Sequence, residues 1–138
     1  MLQCRGIRGA TTVEANTAEA IVSATRELLV ALVEANDIEP DQIASIIFTT
    51  TRDLNATFPA VAARELGWVH VPLLCAHEMD VPGAPQGVVR VLMHVNTEKS
   101  PREIRHVYLR GARVLRPEFG HEPTRISDDR RGAGGMDR

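Results

Sequence analysis

Residues 71–95, VPLLCAHEMDVPGAPQGVVRVLMHV, contain two apolar runs separated by a connection rich in proline and glycine. The runs predict two strands, and the connection predicts a loop between them. Glu78 follows the first run, and Arg90 lies inside the second. An arginine among apolar strand residues needs a partner or a bound anion, because burying an unpaired ion is costly. We therefore interpret the rest of the chain as a scaffold around Arg90.

Outward from this stretch, the pattern predicts an α+β fold with a mixed five-stranded sheet. Apolar residues at helical spacing predict one long helix, with Thr17 as its N-cap and an end near Ala35. Pro59 suits the first turn of a short helix that Gly67 would end. The sheet is expected to pack on these two helices. The predicted strands are 2–10, 42–50, 68–76, 87–95 and 105–109, with a short extended piece over 113–116.

Alternate residues of the first predicted strand divide between two faces. Arg8 projects on the same side as the apolar residues Leu2 and Cys4, whereas Arg5 is on the other side with the polar residue Gln3. Residues 11–16 are predicted to form a turn. Arg8 is thus a second arginine that is expected on an apolar strand face.

Two of the strands suggest that the chain assembles with copies of itself. Strands 42–50 and 87–95 are apolar on both faces, as fully buried strands are. One long helix and one short helix cannot cover both faces of a five-stranded sheet. Another copy of the chain is the simplest candidate for the remaining cover.

Composition places the chain among ordinary globular proteins. It has 138 residues, 43% hydrophobic and 25% charged, and a formal net charge of −2, which gives no global reason to expect nucleic-acid or membrane binding. Cys4 and Cys75, without an N-terminal signal, fit a reducing cytoplasm. No apolar run is long enough to span a bilayer. Residues 1–119 are predicted to form one domain, and residues 120–138, rich in glycine and charge, a disordered tail.

Familiar catalytic and metal-binding motifs are not found. None of the five histidines has a metal-ligand spacing to another His, Cys or carboxylate. The sequence contains no GxSxG, Walker A or GxGxxG motif, so serine-nucleophile chemistry and nucleotide binding have no local support. Cys75 remains open as a nucleophile or, more commonly for such a residue, a small buried thiol.

The arginines carry more information. Arg8 and Arg90 project from strands, Arg64 lies on the short helix, and Arg116 precedes a proline near the end of the ordered part. Each alone is consistent with a salt bridge. Together with Tyr108 they indicate a pocket for a small dianion, since the rigid guanidinium fork matches a carboxylate. Several cations with one carboxylate, Glu78, suit electrostatic catalysis better than proton transfer.

Four segments, RGIRGATTVE, FPAVAAREL, VPLLCAHEMDVPGAPQGVVRVLMHVNT and IRHVYLRGARVLRPE, together closely resemble one enzyme family. It is the monofunctional chorismate mutases of the trimeric, pseudo-α/β-barrel class (Bacillus-type), and the resemblance extends from Arg5 to about Pro117. It implies a homotrimer with active sites in the clefts between subunits. It also implies the Claisen rearrangement of chorismate to prephenate, on the route to phenylalanine and tyrosine, with no cofactor and no metal.

The same resemblance implies roles for the central cluster. Arg90 in VVRV would reach the ether oxygen and a carboxylate of the substrate. Glu78 in CAHEMD would hydrogen-bond the ring hydroxyl, with Cys75 beside it. Arg8 in GIRGA and Tyr108 in HVYL would each contact a carboxylate.

The remaining site residues are implied at the edges of the cleft. Phe58 and Ala60 in FPA would line it from the neighbouring subunit, and Arg64 in AAREL would lie at its rim. Leu115 and Arg116 in VLRPE would bind the substrate from a mobile segment that closes over it. The chain departs from the family pattern near the entrance at Val61, in a position that is often lysine, and at Leu74, in a position that is commonly threonine.

Two rival functions remain open at this point. One is an enamine/imine deaminase on a similar trimeric barrel, which would need to activate a water that the cluster has no obvious means to activate. The other is a non-catalytic trimer that binds small carboxylates, which would need the arginines but not Glu78. Loss of chorismate in a spectrophotometric assay distinguishes both from a mutase.

Overall fold

The computed structural model describes residues 1–116, so the predicted boundary at residue 119 and the predicted tail 120–138 lie outside the described residues. Within this range the chain forms five strands, two α-helices and three short 3-10 segments. The strands are β1 (Gln3–Thr12), β2 (Ile43–Thr50), β3 (Leu73–His77), β4 (Val88–Thr97) and β5 (Val107–Tyr108). The helices are α1 (Ala18–Asn36) and α2 (Val61–Glu65), and the 3-10 segments are Pro40–Gln42, Pro101–Glu103 and Arg110–Leu115.

The five strands form one mixed sheet in the order β3-β2-β4-β1-β5, which confirms the predicted fold class. The central strand β4 is antiparallel to both of its neighbours, β2 and β1. The two outer pairs, β2 with β3 and β1 with β5, are parallel. Arg90 therefore lies on the central strand, where side chains from four other strands can converge on it.

Helix α1 begins and ends where local chemistry predicts. The hydroxyl of Thr17 accepts a 3.1 Å hydrogen bond from the Ala20 backbone N–H, so Thr17 is the N-cap. Asp37 follows the last turn in the left-handed conformation, with φ 54°. Leu28 and Leu32 are fully buried, and a Cβ built on Gly9 of β1 would lie 3.0–3.3 Å from their methyl carbons. The helix thus packs closely on one face of the sheet.

The covered face of β1 is the one that carries Ile7, Gly9 and Thr11, all of them buried. Arg8 shares the opposite face with Leu2, as predicted, but this apolar set lies away from the helix, and Leu2 is 62% exposed. Helix α1 covers the face of Gly9 because this residue has no side chain and lets Leu28 and Leu32 approach the sheet closely. The prediction of a turn from residue 11 was wrong, since β1 continues to residue 12.

Three other predicted segments differ from the structure. Residues 68–72 form turns, and β3 begins only at Leu73; Trp68 and Val71 are nevertheless buried in the core. The strand predicted over 105–109 is reduced to Val107–Tyr108, because Arg110 adopts a positive φ of 52° that turns the chain. The piece predicted as extended over 113–116 belongs largely to the 3-10 segment Arg110–Leu115.

Both helices lie on the same face of the sheet. The main core is formed between this face and the helices and includes Phe48, Met93 and residues of α1 and α2. The other face, called the open face below, carries Leu74, 63% exposed, and Leu92, 36% exposed. In the described part of the chain, no helix has the length and apolar character needed to cross a membrane.

Candidate active site

Register brings two arginines to the open face of the sheet. Arg90 on β4 lies opposite Ala10 on β1 and Thr49 on β2. Arg8 on β1 lies opposite Leu92, two residues further along β4. Because directly opposed residues of neighbouring strands point to the same side, both guanidinium groups project from the face that lacks the helices.

An open cavity of about 280 Å³ lies between these arginines and the outer strands. Its polar lining comes from four strands, β1, β2, β4 and β5, and from Glu78 in the segment that follows β3. The side chains that line it include Arg8, Ile47, Thr49, Glu78, Arg90, Leu92 and Tyr108. Four residues predicted from sequence to bind one dianion thus meet around one cavity.

Glu78 is held against β2 by two contacts. Its backbone N–H donates a 2.8 Å hydrogen bond to the carbonyl oxygen of Thr50, which extends the β2–β3 pairing past the end of β3. Its Oε1 accepts a 2.7 Å hydrogen bond from the hydroxyl of Thr49. The same Oε1 lies 3.9 Å from Nε of Arg90, with side-chain exposures of 32% and 41% for Glu78 and Arg90. The carboxylate and the guanidinium are therefore close but not hydrogen-bonded.

A second cavity, of about 220 Å³, lies on the other side of the Glu78–Arg90 pair. Met79, Val81 and other residues of the loop before β4 line it, together with Leu115. Leu115 also packs against a small cluster that includes Tyr108. The structure therefore brings Leu115 to the arginine cluster from the end of the described chain.

His106 lies near both Arg8 and Arg116. Its Nδ1 accepts a 2.9 Å hydrogen bond from the backbone N–H of Arg8. Burial, together with the nearby positive charges of Arg8 and Arg116, lowers the pKa of His106 to about 4. Arg116 thus lies close enough to His106 for its charge to act on the imidazole, which is neutral at physiological pH.

The other predicted site residues do not join this cluster within one chain. Cys75 projects to the helix side of β3, where burial raises the pKa of its thiol while the Ala60 backbone and Arg64 oppose that rise. Ala60 is buried, Arg64 is exposed, and Phe58 is 67% exposed. None of these four lines either of the two cavities around Glu78 and Arg90 in the described part of the chain.

Comparison with known proteins assigns the chain to a family. A family model described as chorismate mutase type I matches residues 4–119. The chain belongs to the chorismate mutase type I family. The chorismate mutase AroH of Thermus thermophilus is 54% identical over 116 residues, which are 83% of this chain and 95% of that protein. The chorismate mutase AroH of Bacillus subtilis (strain 168) is 47% identical over 119 residues, covering 86% and 94%.

A solved structure agrees with these relatives. A chorismate mutase from Clostridium thermocellum is 55% identical, with a TM-score of 0.80, and the match covers 80% of this chain and 99% of that one. The family and the enzyme class predicted from the sequence, chorismate mutase, are therefore confirmed. Neither the deaminase nor the non-catalytic binding trimer is favoured.

Sequence reasoning missed several residues around the chorismate mutase cavity. Thr49 donates a hydrogen bond to Glu78. Ile47 and Leu92 form the apolar part of the cavity lining. His106 accepts a hydrogen bond from Arg8. The alternation of β2 was a usable signal for Thr49 and Ile47, because residues two apart share a strand face. His106 had no such signal, since its partner is 98 residues away.

The types of side chain at the cavity indicate which class of ligand it can bind. Across residues 1–116, no group of three or more His, Cys, Asp or Glu side chains is arranged so that it could hold a metal ion. The polar groups of the cavity are instead two guanidinium groups, one carboxylate, one threonine hydroxyl and one tyrosine hydroxyl. This set of donors and charges suits the binding of an organic anion.

Proposed function

We propose that the chain rearranges chorismate to prephenate in the cavity lined by Arg8, Glu78, Arg90 and Tyr108, as a step of aromatic amino-acid biosynthesis. The observation that carries the proposal is the convergence of these four side chains on one open cavity from different parts of the sheet. Chorismate is a small dianion with a ring hydroxyl and an ether oxygen. The two arginines match the charge of such a ligand, and the carboxylate matches its hydroxyl.

The reaction asks little of acid–base chemistry. One C–O bond breaks and one C–C bond forms within a single molecule, so no proton has to move. The cavity can help by holding the flexible dianion in the compact chair that reacts, which lowers the entropic part of the barrier. Arg8 and Tyr108, on neighbouring strands β1 and β5, are the proposed anchors of the carboxylates.

The second contribution is electrostatic. In the transition state, negative charge develops on the ether oxygen and positive charge on the ring. Arg90 is proposed to stabilise the former, and Glu78, hydrogen-bonded to the ring hydroxyl, the latter. Glu78 is already held by Thr49 and Thr50 before substrate arrives, so it needs little reorganisation. Arg116 and Leu115 are proposed to bind the substrate from the end of the described chain.

We further propose that the enzyme is a cytoplasmic homotrimer with active sites between subunits. The open face of the sheet carries exposed leucines that a neighbouring subunit would cover. Phe58, Ala60 and Arg64 are remote from the cavity of their own chain, so their proposed roles require the cavity of another subunit. Cys75 is assigned a place beside the ring hydroxyl only by family resemblance. Two free cysteines fit a reducing compartment.

A continuous spectrophotometric assay of chorismate loss, with prephenate identified as the product, tests the reaction. We expect turnover by the purified protein without added metal or cofactor. Tight chorismate binding with no turnover would overturn the proposal in favour of the binding trimer. Release of ammonia from an imine substrate, with no turnover of chorismate, would favour the deaminase.

Subunit complementation tests the shared site. Arg90→Ala removes a substrate-binding group from the subunit that provides the cavity. Phe58→Asp places a carboxylate on the part of the site that the neighbouring subunit provides, where it repels the dianion. Each variant alone should be nearly inactive. After the two are unfolded and refolded together, random trimers should recover about a quarter of the wild-type activity, because each mixed trimer contains one intact site. No gain on mixing, or a monomeric mass by light scattering, would contradict shared sites.

A further inference from the structure

We infer that Thr49 is a positioning residue of the chorismate mutase site, whose hydroxyl holds the Glu78 carboxylate towards the substrate and away from Arg90. This inference rests on the roles proposed above for Glu78 and Arg90. Thr49 itself is not proposed to touch a reacting atom. Its effect on the reaction is exerted through the position of one carboxylate oxygen.

The position of Thr49 in the sheet makes it suited to this task. It lies on β2, directly opposite Arg90 on β4 and Ala76 on β3. Its hydroxyl donates the 2.7 Å hydrogen bond to Oε1 of Glu78, while the carbonyl oxygen of the next residue, Thr50, accepts the 2.8 Å bond from the Glu78 backbone. Two successive residues of one strand therefore hold both the backbone and the side chain of Glu78.

The same carboxylate oxygen has a competing partner. Nε of Arg90 lies 3.9 Å from Oε1 of Glu78, about 1 Å beyond the usual length of an N–H···O hydrogen bond. Opposite charges at this distance attract, and guanidinium and carboxylate groups readily form two parallel hydrogen bonds. The hydroxyl of Thr49 takes one acceptor site of Oε1 and fixes where this oxygen lies, which favours the observed separation over closure of the pair.

A closed pair would impair the site twice. It would engage donors of Arg90 that the ether oxygen needs, and it would remove the Glu78 carboxylate from the ring hydroxyl. Threonine suits the position because its β-branched side chain has few rotamers, so the hydroxyl direction is well defined on the strand. The small neighbour Ala76 leaves the carboxylate room to turn back over β2.

A pair of substitutions separates the hydroxyl from the shape of the side chain. Thr49→Val keeps the volume and removes the donor, and we expect a loss of kcat of about 10- to 100-fold, with a smaller change in KM. Thr49→Ser keeps the donor and should remain within about 3-fold of wild type. Thr97→Val, at the end of β4 and outside the lining of both cavities, is the control and should leave kcat unchanged. Full activity of Thr49→Val, or equal losses in the Val and Ser variants, would overturn the inference.

A double-mutant cycle and a crystal structure add readouts that a purely structural role would not move. In a Glu78→Gln background, Thr49→Val should lower kcat by less than about 2-fold, because the group that it positions is already altered. An undiminished loss in that background would overturn the inference. In crystals of Thr49→Val, a Glu78 oxygen should lie within about 3.2 Å of a guanidinium nitrogen of Arg90. An unchanged distance between Glu78 and Arg90 in the variant would refute the positioning role, whether or not the wild type turns over chorismate. If the pair closes in the variant but the wild type shows no turnover, only the proposed reaction is refuted.

Discussion

The backbone N–H of Arg8 donates a 2.9 Å hydrogen bond to Nδ1 of His106, one residue before the short parallel β1–β5 pairing begins. An imidazole nitrogen can accept this bond only while it carries no proton. The neutral state of His106 is therefore part of the geometry that places Arg8 at the cavity. Protonation would break the bond and add a third positive charge beside Arg8 and Arg116.

This relationship predicts a pH dependence of stability. The pKa of His106 is about 4 in the folded protein, below its ordinary value of 6.5, so the unfolded chain binds more protons between these values. The contribution of neutral His106 to the free energy of unfolding is complete above about pH 6.5 and is lost as the pH falls towards 4. The loss is at most about 3 kcal/mol, and it is smaller because solvent screens the partly exposed ring.

Urea unfolding at pH 7 and pH 5, at one protein concentration, measures this loss. His106→Gln retains an acceptor but does not titrate, so it should lose less stability between the two pH values than the wild type. His70→Gln removes an exposed histidine and should behave like the wild type. Equal losses in wild type and His106→Gln would contradict the prediction.

Arg90→Ala should lower kcat by at least about 10²–10³, because loss of one preorganised donor at a developing charge has that effect. The fold should survive, since the side chain lies on the open face and is 41% exposed. Kinetics of chorismate loss and circular dichroism provide the two measurements. Arg102→Ala, an exposed arginine away from the cavity, is the matched control and should change neither. Near-wild-type turnover by Arg90→Ala would refute the assignment of this residue.

Arg116→Ala should act mainly on substrate binding. Arg116 lies at the end of the described chain, beside a leucine that lines the second cavity, and far along the sequence from the central strand. A group that binds the substrate equally in ground and transition states changes KM while kcat is nearly preserved. Initial rates over a range of chorismate concentrations measure both constants. A fall in kcat as large as that of Arg90→Ala, with unchanged KM, would place Arg116 at the reacting bonds instead.

The rate itself should be nearly independent of pH. Neither proposed charge carrier has to gain or lose a proton in the reaction, and arginine does not titrate below about pH 12. The pKa of His106, about 4, also lies below the working range. We expect a flat kcat between about pH 5 and pH 9 in stopped-time or continuous assays. A bell-shaped profile centred near pH 7 would indicate general acid–base catalysis.

Gly87 is predicted to be the critical glycine of the loop that connects Glu78 with Arg90. Its φ is +70°, and a Cβ there would lie 3.3 Å from the Val13 carbonyl oxygen. Gly87→Ala should therefore reduce the free energy of unfolding by about 1–3 kcal/mol. Gly83→Ala, with φ +87° and nothing within 4 Å of the added Cβ, carries only the backbone strain and should lose less. Chemical denaturation of both variants tests the difference, and equal losses would show that the Val13 contact is unimportant.

Local patterns in the sequence predicted most of the elements. Helix α1 was foreseen from helical spacing and from Thr17, and the observed cap has the expected hydrogen bond. Arg90 was recognised because charge is costly in an apolar strand, and it lies on the central strand beside the cavity. Predictions failed where packing overrode periodicity, as at Trp68 and Val71, which are buried in turns rather than in a strand.

The sequence by itself determined the elements and their apolar residues, because backbone geometry sets periods of 3.6 and 2 that can be read locally. Only the tertiary structure decided which face of β1 is covered, since that depends on how closely α1 approaches Gly9. Tertiary structure also placed Thr49 on Glu78 and His106 on Arg8, contacts that join residues 29 and 98 positions apart. Such pairs follow from strand order and register, which are set by packing of the whole sheet.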